Sequence, residues 1–401
     1  MFADRKAVFL VRSYLVPIQA AFLLFPVLAA LFSLPYVVAQ YRRYGALLLF
    51  RVLVVYSLIL YLMCAFFLTA LPLPPISQVA GMTTPIRQLH PFHFVQVFLQ
   101  ESCLVPGDPS TWLPALRQGC FYQPAFNLLL LFPLGVYLRY YFGRGWASTL
   151  LLVFSVTLCF ELIQYSALFG IYPRPYRMFD VDDLFLNTLG GMLGFWLTPA
   201  LSWLLPTRQQ LDTLSYRKGR RVSYPRRLVA FCLDWGLLAG FVTLAHRGLG
   251  WPGLRDLLGL RSWEAALLYL GLVFLYFVAL PWLAGGRTLG KALVGLKLAG
   301  EGGERPRFWQ LLVRQGMLYL VFLPAPVVAL RLFERRAALS QGLDLPVLIL
   351  FSLLGLVSAF FVFSLFAAGL TRQHRLPYDK LAGTENRSTV ARRGGEEAPR
   401  P

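Results

Sequence analysis

The side chains best suited to chemistry in this sequence lie within or beside apolar segments. Glu161 and Gln164 are three residues apart near the end of one apolar run, so they share a face of a predicted helix. Acids and amides are costly in lipid and usually mark a functional site or an internal polar network. The spacing therefore predicts a polar face directed toward other helices.

A second polar group follows in the sequence GIYPRPYRMFDVDDLFLN. Arg177, Asp180 and Asp183 are spaced by three residues. If a helix begins near Asp180, these side chains and Asn187 lie on one face at the boundary of the membrane. Asp182 lies beside them but off that face. We expect this face to meet the Glu161–Gln164 face.

The composition indicates the elements that must position these groups. Apolar residues make up 57% of the 401 residues and charged residues 14%, which excludes a disordered chain, a collagen-like chain and an ordinary soluble enzyme. Runs of about 20 apolar residues without period-2 alternation predict transmembrane helices rather than a β-barrel. Nine such runs occur: 15–39, 47–71, 126–142, 147–169, 184–205, 228–245, 265–285, 308–330 and 345–370. The predicted fold is an all-α polytopic transmembrane helix bundle of about nine helices, in two units of five plus four.

The charge of +19 agrees with this interpretation. The basic residues lie in short loops between apolar runs, which argues against nucleic-acid binding. Loops on one side carry 24 Lys and Arg residues and those on the other carry 10, so we expect the first side to be cytoplasmic. Nine spans then put the N-terminus outside, despite Arg5, Lys6 and Arg12. A re-entrant or interfacial first segment would remove that conflict.

The remaining segments suggest five regions. Residues 1–46 form an extra N-terminal helix, 206–221 a basic cytoplasmic linker, and 391–401 a disordered tail. The polar stretch 385–401, which includes that tail, is expected to be disordered. The linker separates one unit at 47–205 from another at 222–390.

Three segments of the first unit occur in order: FNLLLLFPLGVYL (126–138), FELIQ (160–164) and RMFDVDDLFLNTLGGMLG (177–194). By these segments, and more weakly by RQLHPFHF, the first unit resembles the VanZ-like family. It implies low-level resistance to the glycopeptide antibiotic teicoplanin and no established catalytic mechanism. Gly190 and Gly194 form a small-xxx-small pair suited to close helix contact. The functional residues that the resemblance implies are Asn127, Glu161, Gln164, Arg177, Asp180, Asp183 and Asn187.

These residues allow three interpretations. They could bind a polar headgroup or a cationic sugar at the outer boundary. They could hold Mg²⁺ or Ca²⁺ that bridges to a lipid phosphate. They could instead form an internal network, in which Arg177 neutralises Asp180 while Gln164 and Asn127 cap Glu161.

The second unit contains the segments YPRRLVAFCLDWG, GGRTLGKALVGLKL (285–298) and YDKLAGT (378–384). By these segments it resembles the RDD family, named for one Arg and two Asp. A lone carboxylate at Asp234 would be costly in an apolar helix, so it must be paired or protonated. Lys291 could pair with Asp379 or bind anionic lipid. The motif maps onto Arg227, Asp234, Thr288, Gly290, Lys291, Asp379 and Thr384.

Two further candidate sites are a pair of cysteines and a pair of histidines. Cys103 and Cys120 share the outer loop 72–125 and form either a disulfide or two unpaired thiols. His90 and His93 in HPFH are expected to be a surface pair, because no acidic partner stands at zinc-ligand spacing. We expect no metal and no cofactor.

The leading expectation is a non-enzymatic role in the cell envelope of a bacterium, in the cytoplasmic membrane. Membrane lipids, a polyprenyl-linked cell-wall precursor or a glycopeptide antibiotic are the expected partners, without nucleic acid. One alternative is a cation/proton transporter that uses Asp234 with Arg227 and Arg314. Another is a membrane enzyme that acts on a lipid headgroup with Glu161 and Asp183 as acid and base.

Overall fold

The structure is a computed structural model that describes residues 2–203, 205–338, 344–371 and 375–390. The tail 391–401, expected to be disordered, lies outside the described residues. Within those described, nine helices are long and apolar enough to cross a membrane, five before residue 211 and four after it. The all-α polytopic bundle is therefore confirmed.

The chain divides into two compact units. Unit 1 runs up to Ser33 and over Leu48–Leu211, and unit 2 covers Leu34–Leu47 and the chain from Asp212 onward. The first helix contributes to both units, and the next nine belong to unit 1. These helices are α1 (Phe2–Tyr44), α2 (Leu49–Ala70), α3 (Ile76–Ala80), α4 (His93–Glu101), α5 (Trp112–Leu116), α6 (Gly119–Leu130), α7 (Phe132–Tyr140), α8 (Trp146–Tyr165), α9 (Ala167–Gly170) and α10 (Val181–Leu201).

Helix α10 lies at the centre of unit 1 and packs against α6, α7 and α8. Its glycines make that packing close. A Cβ atom on Gly190 would collide with the carbonyl oxygen of Leu128, and one on Gly194 with that of Phe132. The close contact predicted for this glycine pair is confirmed. Leu131, which separates α6 from α7, is fully buried in the core beside Val153.

The basic segment between the apolar halves contains a helix, α11 (Arg208–Gly219), in the region expected to be a linker. Helix α1 is continuous from Phe2 to Tyr44, without the break that a re-entrant first segment would need. The first run therefore stays a candidate span.

Unit 2 contains four candidate spans and several short helices. Its helices are α12 (Tyr224–Leu249), α13 (Leu254–Gly259), α14 (Trp263–Leu272), α15 (Leu280–Leu283), α16 (Leu289–Leu293), α17 (Phe308–Gly316), α18 (Pro324–Ala338), α19 (Leu345–Thr371) and α20 (Pro377–Leu381).

Two spans of unit 2 widen into π-helical segments, Val273–Ala279 and Met317–Phe322. The rings of Phe277 and Tyr319, one from each segment, stack with their centroids 4.2 Å apart. The hydroxyl of Tyr269 donates to the Tyr319 carbonyl at 2.7 Å. Wide turns of this kind interrupt the regular hydrogen-bond ladder and often occur at functional sites.

Four short strands add detail that the sequence did not indicate. In unit 1, β1 (Arg87–Gln88) pairs in parallel with β2 (Phe179–Asp180). In unit 2, β3 (Leu296–Gly300) pairs antiparallel with β4 (Thr384–Ser388). The expected disorder of 385–401 is therefore wrong for residues 385–388, because β3 supplies the backbone partners that make them a strand.

Candidate functional site

The N-terminus of α10 positions the polar residues of unit 1. Asp180 is its N-cap, and its carboxylate accepts a hydrogen bond from the Asp182 N–H at 2.8 Å. The helix thus begins where the sequence predicted. The Asp182 carboxylate accepts from the backbone N–H groups of Phe92 at 2.6 Å and Phe94 at 3.0 Å. These two bonds fix the loop that carries His93 against the helix.

Unit 1 contains a cavity of about 1050 Å³. Apolar side chains form much of its wall, among them Leu68, Phe94, Val97, Leu130 and Phe160. The polar residues predicted from the sequence all line the same cavity: Asn127, Glu161, Gln164, Arg177, Asp180, Asp183 and Asn187. The cavity thus combines an acidic region with a large apolar surface.

Glu161 on α8 and Asp183 on α10 lie within electrostatic range of each other. Glu161 is 4% exposed, and its carboxylate accepts from the Asp180 N–H at 3.2 Å. The Asn127 side-chain amide donates to the Asp183 carboxylate. Glu161 is within electrostatic range of both aspartates, so three acids share one small region.

The side chains of Gln164, Asn187 and Arg177 donate hydrogen bonds to groups other than the three acids. Gln164 donates to the Thr69 carbonyl at 2.8 Å and Arg177 to the Leu71 carbonyl at 2.9 Å, which ties both to the end of α2. The Asn187 amide donates to the Thr157 hydroxyl at 3.2 Å.

Electrostatics in this region are dominated by the acids. Burial raises the pKa of the Asp180 carboxyl above its usual range, and the Asp182 N–H and the nearby His93 partly offset that rise. Among the described residues, no ion pair joins Arg177 to any of the three acids. Within those residues, no three His, Cys, Asp or Glu side chains are grouped so as to hold a metal ion.

The motif residues of unit 2 surround a buried carboxylate. Asp234 is 2% exposed and accepts three hydrogen bonds of 2.7 Å, from the Tyr276 hydroxyl, the Thr288 hydroxyl and the Gly290 N–H. A Cβ atom on Gly290 would lie 2.7 Å from the Asp234 oxygen, so only glycine fits here. Three hydrogen-bond donors stabilise this buried carboxylate.

Asp379 is fully buried and paired with two arginines. Its carboxylate accepts from Arg314 at 2.9 Å, from Arg227 at 3.2 Å and from the Leu376 N–H at 3.2 Å. Arg227 and Asp234 share helix α12, but Arg227 binds Asp379. We call Arg227, Asp234, Lys291, Arg314 and Asp379 the charged cluster.

Lys291 is 9% exposed and close to the other members of the charged cluster. Burial, followed by the nearby Arg314 guanidinium, lowers the pKa of Lys291 to about 7. No ion pair joins Lys291 to Asp379 or to another described carboxylate. Of the two roles considered for Lys291, pairing with Asp379 is therefore wrong, because the two arginines already occupy Asp379. Thr384 is fully buried in β4.

Family models match both units. The model described as VanZ/LLP1 matches residues 58–203, and the model described as RDD family matches residues 221–383. The chain is a fusion of a VanZ-like segment and an RDD segment. No curated protein and no solved structure matches it.

The cavity lies within the VanZ-like segment apart from Leu15 and Ile18 of α1. The specific internal network proposed for this segment is wrong. Arg177 binds Leu71 rather than Asp180, while Gln164 and Asn127 bind Thr69 and Asp183 rather than Glu161.

Two residues of the VanZ-like segment were missed. His93 lines the cavity rather than forming a surface pair with His90. Asp182 fixes the loop that places it there. The resemblance of RQLHPFHF to the family loop before Asn127 was the available signal for His93.

One residue of the RDD segment was also missed. Arg226 is fully buried and donates to the carbonyls of Val294, Gly295, Gly45 and Gly219 at 2.7–3.1 Å. The sequence pattern had assigned the motif arginine to its neighbour, Arg227.

Cys103 and Cys120 are free thiols here, and both lie close to Gln118. Their disulfide stays a prediction.

Proposed function

We propose that unit 1 binds an amphiphilic ligand of the bacterial cell envelope at the outer face of the cytoplasmic membrane. The candidates are a polyprenyl-linked cell-wall precursor and a glycopeptide antibiotic of the teicoplanin type. The observation that carries the proposal is the cavity, where the seven polar side chains predicted from the sequence meet a large apolar wall.

The size and lining of the cavity fit an amphiphile. Its volume of about 1050 Å³ is at the upper end of the usual range for small-molecule pockets. Such pockets are mostly apolar and use a few placed polar groups to orient the ligand. Here the polar groups cluster near the start of α10 and the end of α8, so a headgroup would bind there while a chain contacts the apolar wall.

The positive-inside rule supports the outer location. The basic segment after α10 belongs to the loops rich in Lys and Arg, which favours a cytoplasmic position for that end of the helix and an outer position for the end with Asp180 and Asp183. An outer site fits a ligand that is exposed on the cell surface.

The hydrogen bonds of Glu161 and Asp183 favour a binding role over a catalytic one. Glu161 accepts from a backbone N–H and Asp183 from the Asn127 amide, so both are held in fixed positions. Their contacts are suited to orienting hydrogen-bond donors of a ligand.

A deletion strain that carries plasmid-borne variants tests the proposal. Val97→Trp puts bulk into the cavity, whereas Val95→Trp alters an exposed side chain of the same helix, 40% exposed, that does not line it. We expect Val97→Trp to lower teicoplanin resistance to the deletion level and Val95→Trp to behave like wild type. Equal resistance in both variants and the wild type, with membrane levels matched by blotting, would rule out the cavity as the site.

Two alternatives have distinct signatures in the same strains. Changed lipid species in the deletion strain, restored by wild type but not by Glu161→Gln, would favour a membrane enzyme. Cation flux linked to pH in proteoliposomes, abolished by Asp234→Asn, would favour transport through the charged cluster. That cluster is the observation behind the transport alternative.

A further inference from the structure

Asn187 leaves one hydrogen-bond acceptor unused at the cavity wall. The residue is 3% exposed, and its side-chain oxygen is buried with no hydrogen-bond partner. Its amide nitrogen is already committed to Thr157. A buried acceptor without a donor costs about 1–3 kcal/mol, so the position favours a donor that comes from a ligand.

The position of Asn187 places that acceptor below the acidic residues. Asn187 follows Asp183 by four residues on α10, and Thr157 precedes Glu161 by four on α8. The Asn187–Thr157 contact is therefore about one helical turn deeper than the level of Glu161 and Asp183. A ligand group that binds between these two levels would be close to the carboxylate oxygens of Glu161 and Asp183 and to the side-chain oxygen of Asn187.

The charge of this region is unbalanced. Glu161, Asp180, Asp182 and Asp183 contribute carboxylates, whereas Arg177 is the one Lys or Arg among the described residues that line the cavity. Its guanidinium donates to a backbone carbonyl instead of pairing with an acid. A ligand with positive charge would therefore be favoured over a neutral or anionic one.

We propose that the cavity selects an amphiphile whose headgroup carries a primary ammonium group, an inference that rests on the proposed function of unit 1. A primary ammonium has three N–H donors and one positive charge. It can donate to the Asn187 oxygen and to the carboxylates of Asp183 and Glu161. The apolar wall, including Leu68, then contacts the hydrocarbon chain.

Lipid competition on the purified full-length protein in detergent tests the selectivity. The probe is phosphatidylethanolamine with a fluorescent acyl chain. The competitors are unlabelled phosphatidylethanolamine, phosphatidylcholine, which has charge but no N–H donor, and phosphatidylglycerol, which has no cation. We expect phosphatidylethanolamine to compete about tenfold better than phosphatidylcholine, with phosphatidylglycerol weakest. Equal competition by all three would overturn the proposal.

Variants of Asp183 and Asn187 test whether these side chains produce the selectivity for an ammonium group. Asp183→Asn and Asn187→Leu are each expected to weaken phosphatidylethanolamine binding about tenfold, whereas Asn187→Asp adds a charge and strengthens it. Glu101→Gln, an acid-to-amide change at an exposed position of α4, serves as the matched control with unchanged affinity. Unchanged binding in Asp183→Asn and weaker binding in Asn187→Asp would contradict the proposal. Loss of binding with EDTA would also do so, because it indicates a bridging metal ion.

The assay separates this inference from the proposed function. If Val97→Trp abolishes binding of all three lipids and none is preferred, the cavity binds amphiphiles and the ammonium selectivity is wrong. If Val97→Trp changes no binding, both proposals are wrong.

Discussion

Asp182 connects the loop that carries His93 to α10, the central helix of unit 1. Its two carboxylate oxygens each accept a backbone N–H, at 2.6 and 3.0 Å, from residues about 90 positions earlier in the chain. Hydrogen bonds to a charged group contribute about 1.5–3 kcal/mol each. This side chain therefore holds the loop that presents His93 to the cavity, in addition to the pairing of β1 with β2.

We expect Asp182→Ala to destabilise unit 1 by about 2–4 kcal/mol, because two backbone N–H groups lose their acceptor. The measurement is thermal unfolding in detergent, together with limited proteolysis of the loop 81–94. Glu101→Ala, at an exposed position, is the control. Wild-type melting and protease resistance in Asp182→Ala would show that other contacts hold the loop.

Lys291 predicts a pH dependence of the stability of unit 2. Its pKa is about 7 in the folded protein, below the ordinary lysine value of 10.5, so the unfolded chain binds the extra proton between those values. Stability should therefore rise with pH from about 7 to 10, by up to about 1.4 kcal/mol per pH unit from this group. Below about pH 7 the contribution is constant and unfavourable.

Melting temperatures at pH 6.5, 7.5 and 8.5 for wild type and Lys291→Met check this dependence. Lys291→Met should flatten the rise, and Lys297→Met, at a half-buried lysine in β3, should retain it. An unchanged slope in Lys291→Met would show that Lys291 stays protonated in the folded protein.

The sequence identified these residues with uneven success, for physical reasons. Regular spacing on α8 and α10 was enough to group Glu161, Asp183 and Asn187, because helical neighbours follow from i+3 and i+4 arithmetic. The roles of Asp182 and His93 depend on a loop that returns from far along the chain. Local spacing carries no information about such a contact.

At the scale of elements, glycine determines how closely α10 approaches its neighbours. Gly190→Ala would bring a Cβ atom into collision with the backbone carbonyl of Leu128, which cannot rotate away. We expect a loss of about 1–3 kcal/mol, as for an overpacked core. The melting temperature in detergent is the measurement.

Gly236→Ala is the matched control, because nothing lies within 4 Å of its Cβ position within α12. It should melt like wild type. If both variants behave alike, the close approach of α6 to α10 is not needed for stability.

The elements themselves were more predictable than their details. Long apolar runs predicted the nine spans found among the described residues, because lipid requires helices that satisfy their own backbone. The pairing of β3 with β4 was missed, since it joins segments almost 90 residues apart. The π-helical segments, which place Tyr276 on Asp234, likewise depend on packing between helices.

At the scale of the whole molecule, the charge distribution predicts which loops face the cytoplasm. In a variant that keeps Cys103 alone, a membrane-impermeant maleimide should label intact cells, because Cys103 is exposed in the outer loop. In a cysteine-free background, Gln209→Cys on α11 should be labelled only after the cells are opened. The reverse pattern would place the cavity residues at the cytoplasmic face and contradict an outer binding site.

The central claim of the proposed function is that the cavity of unit 1 holds an amphiphile. Electron cryo-microscopy of the full-length protein in nanodiscs of native lipid tests this directly. We predict elongated density along the apolar wall, with its polar end between Glu161, Asp183 and Asn187. A cavity closed by its own side chains, with Arg177 paired to the acids, would contradict the account.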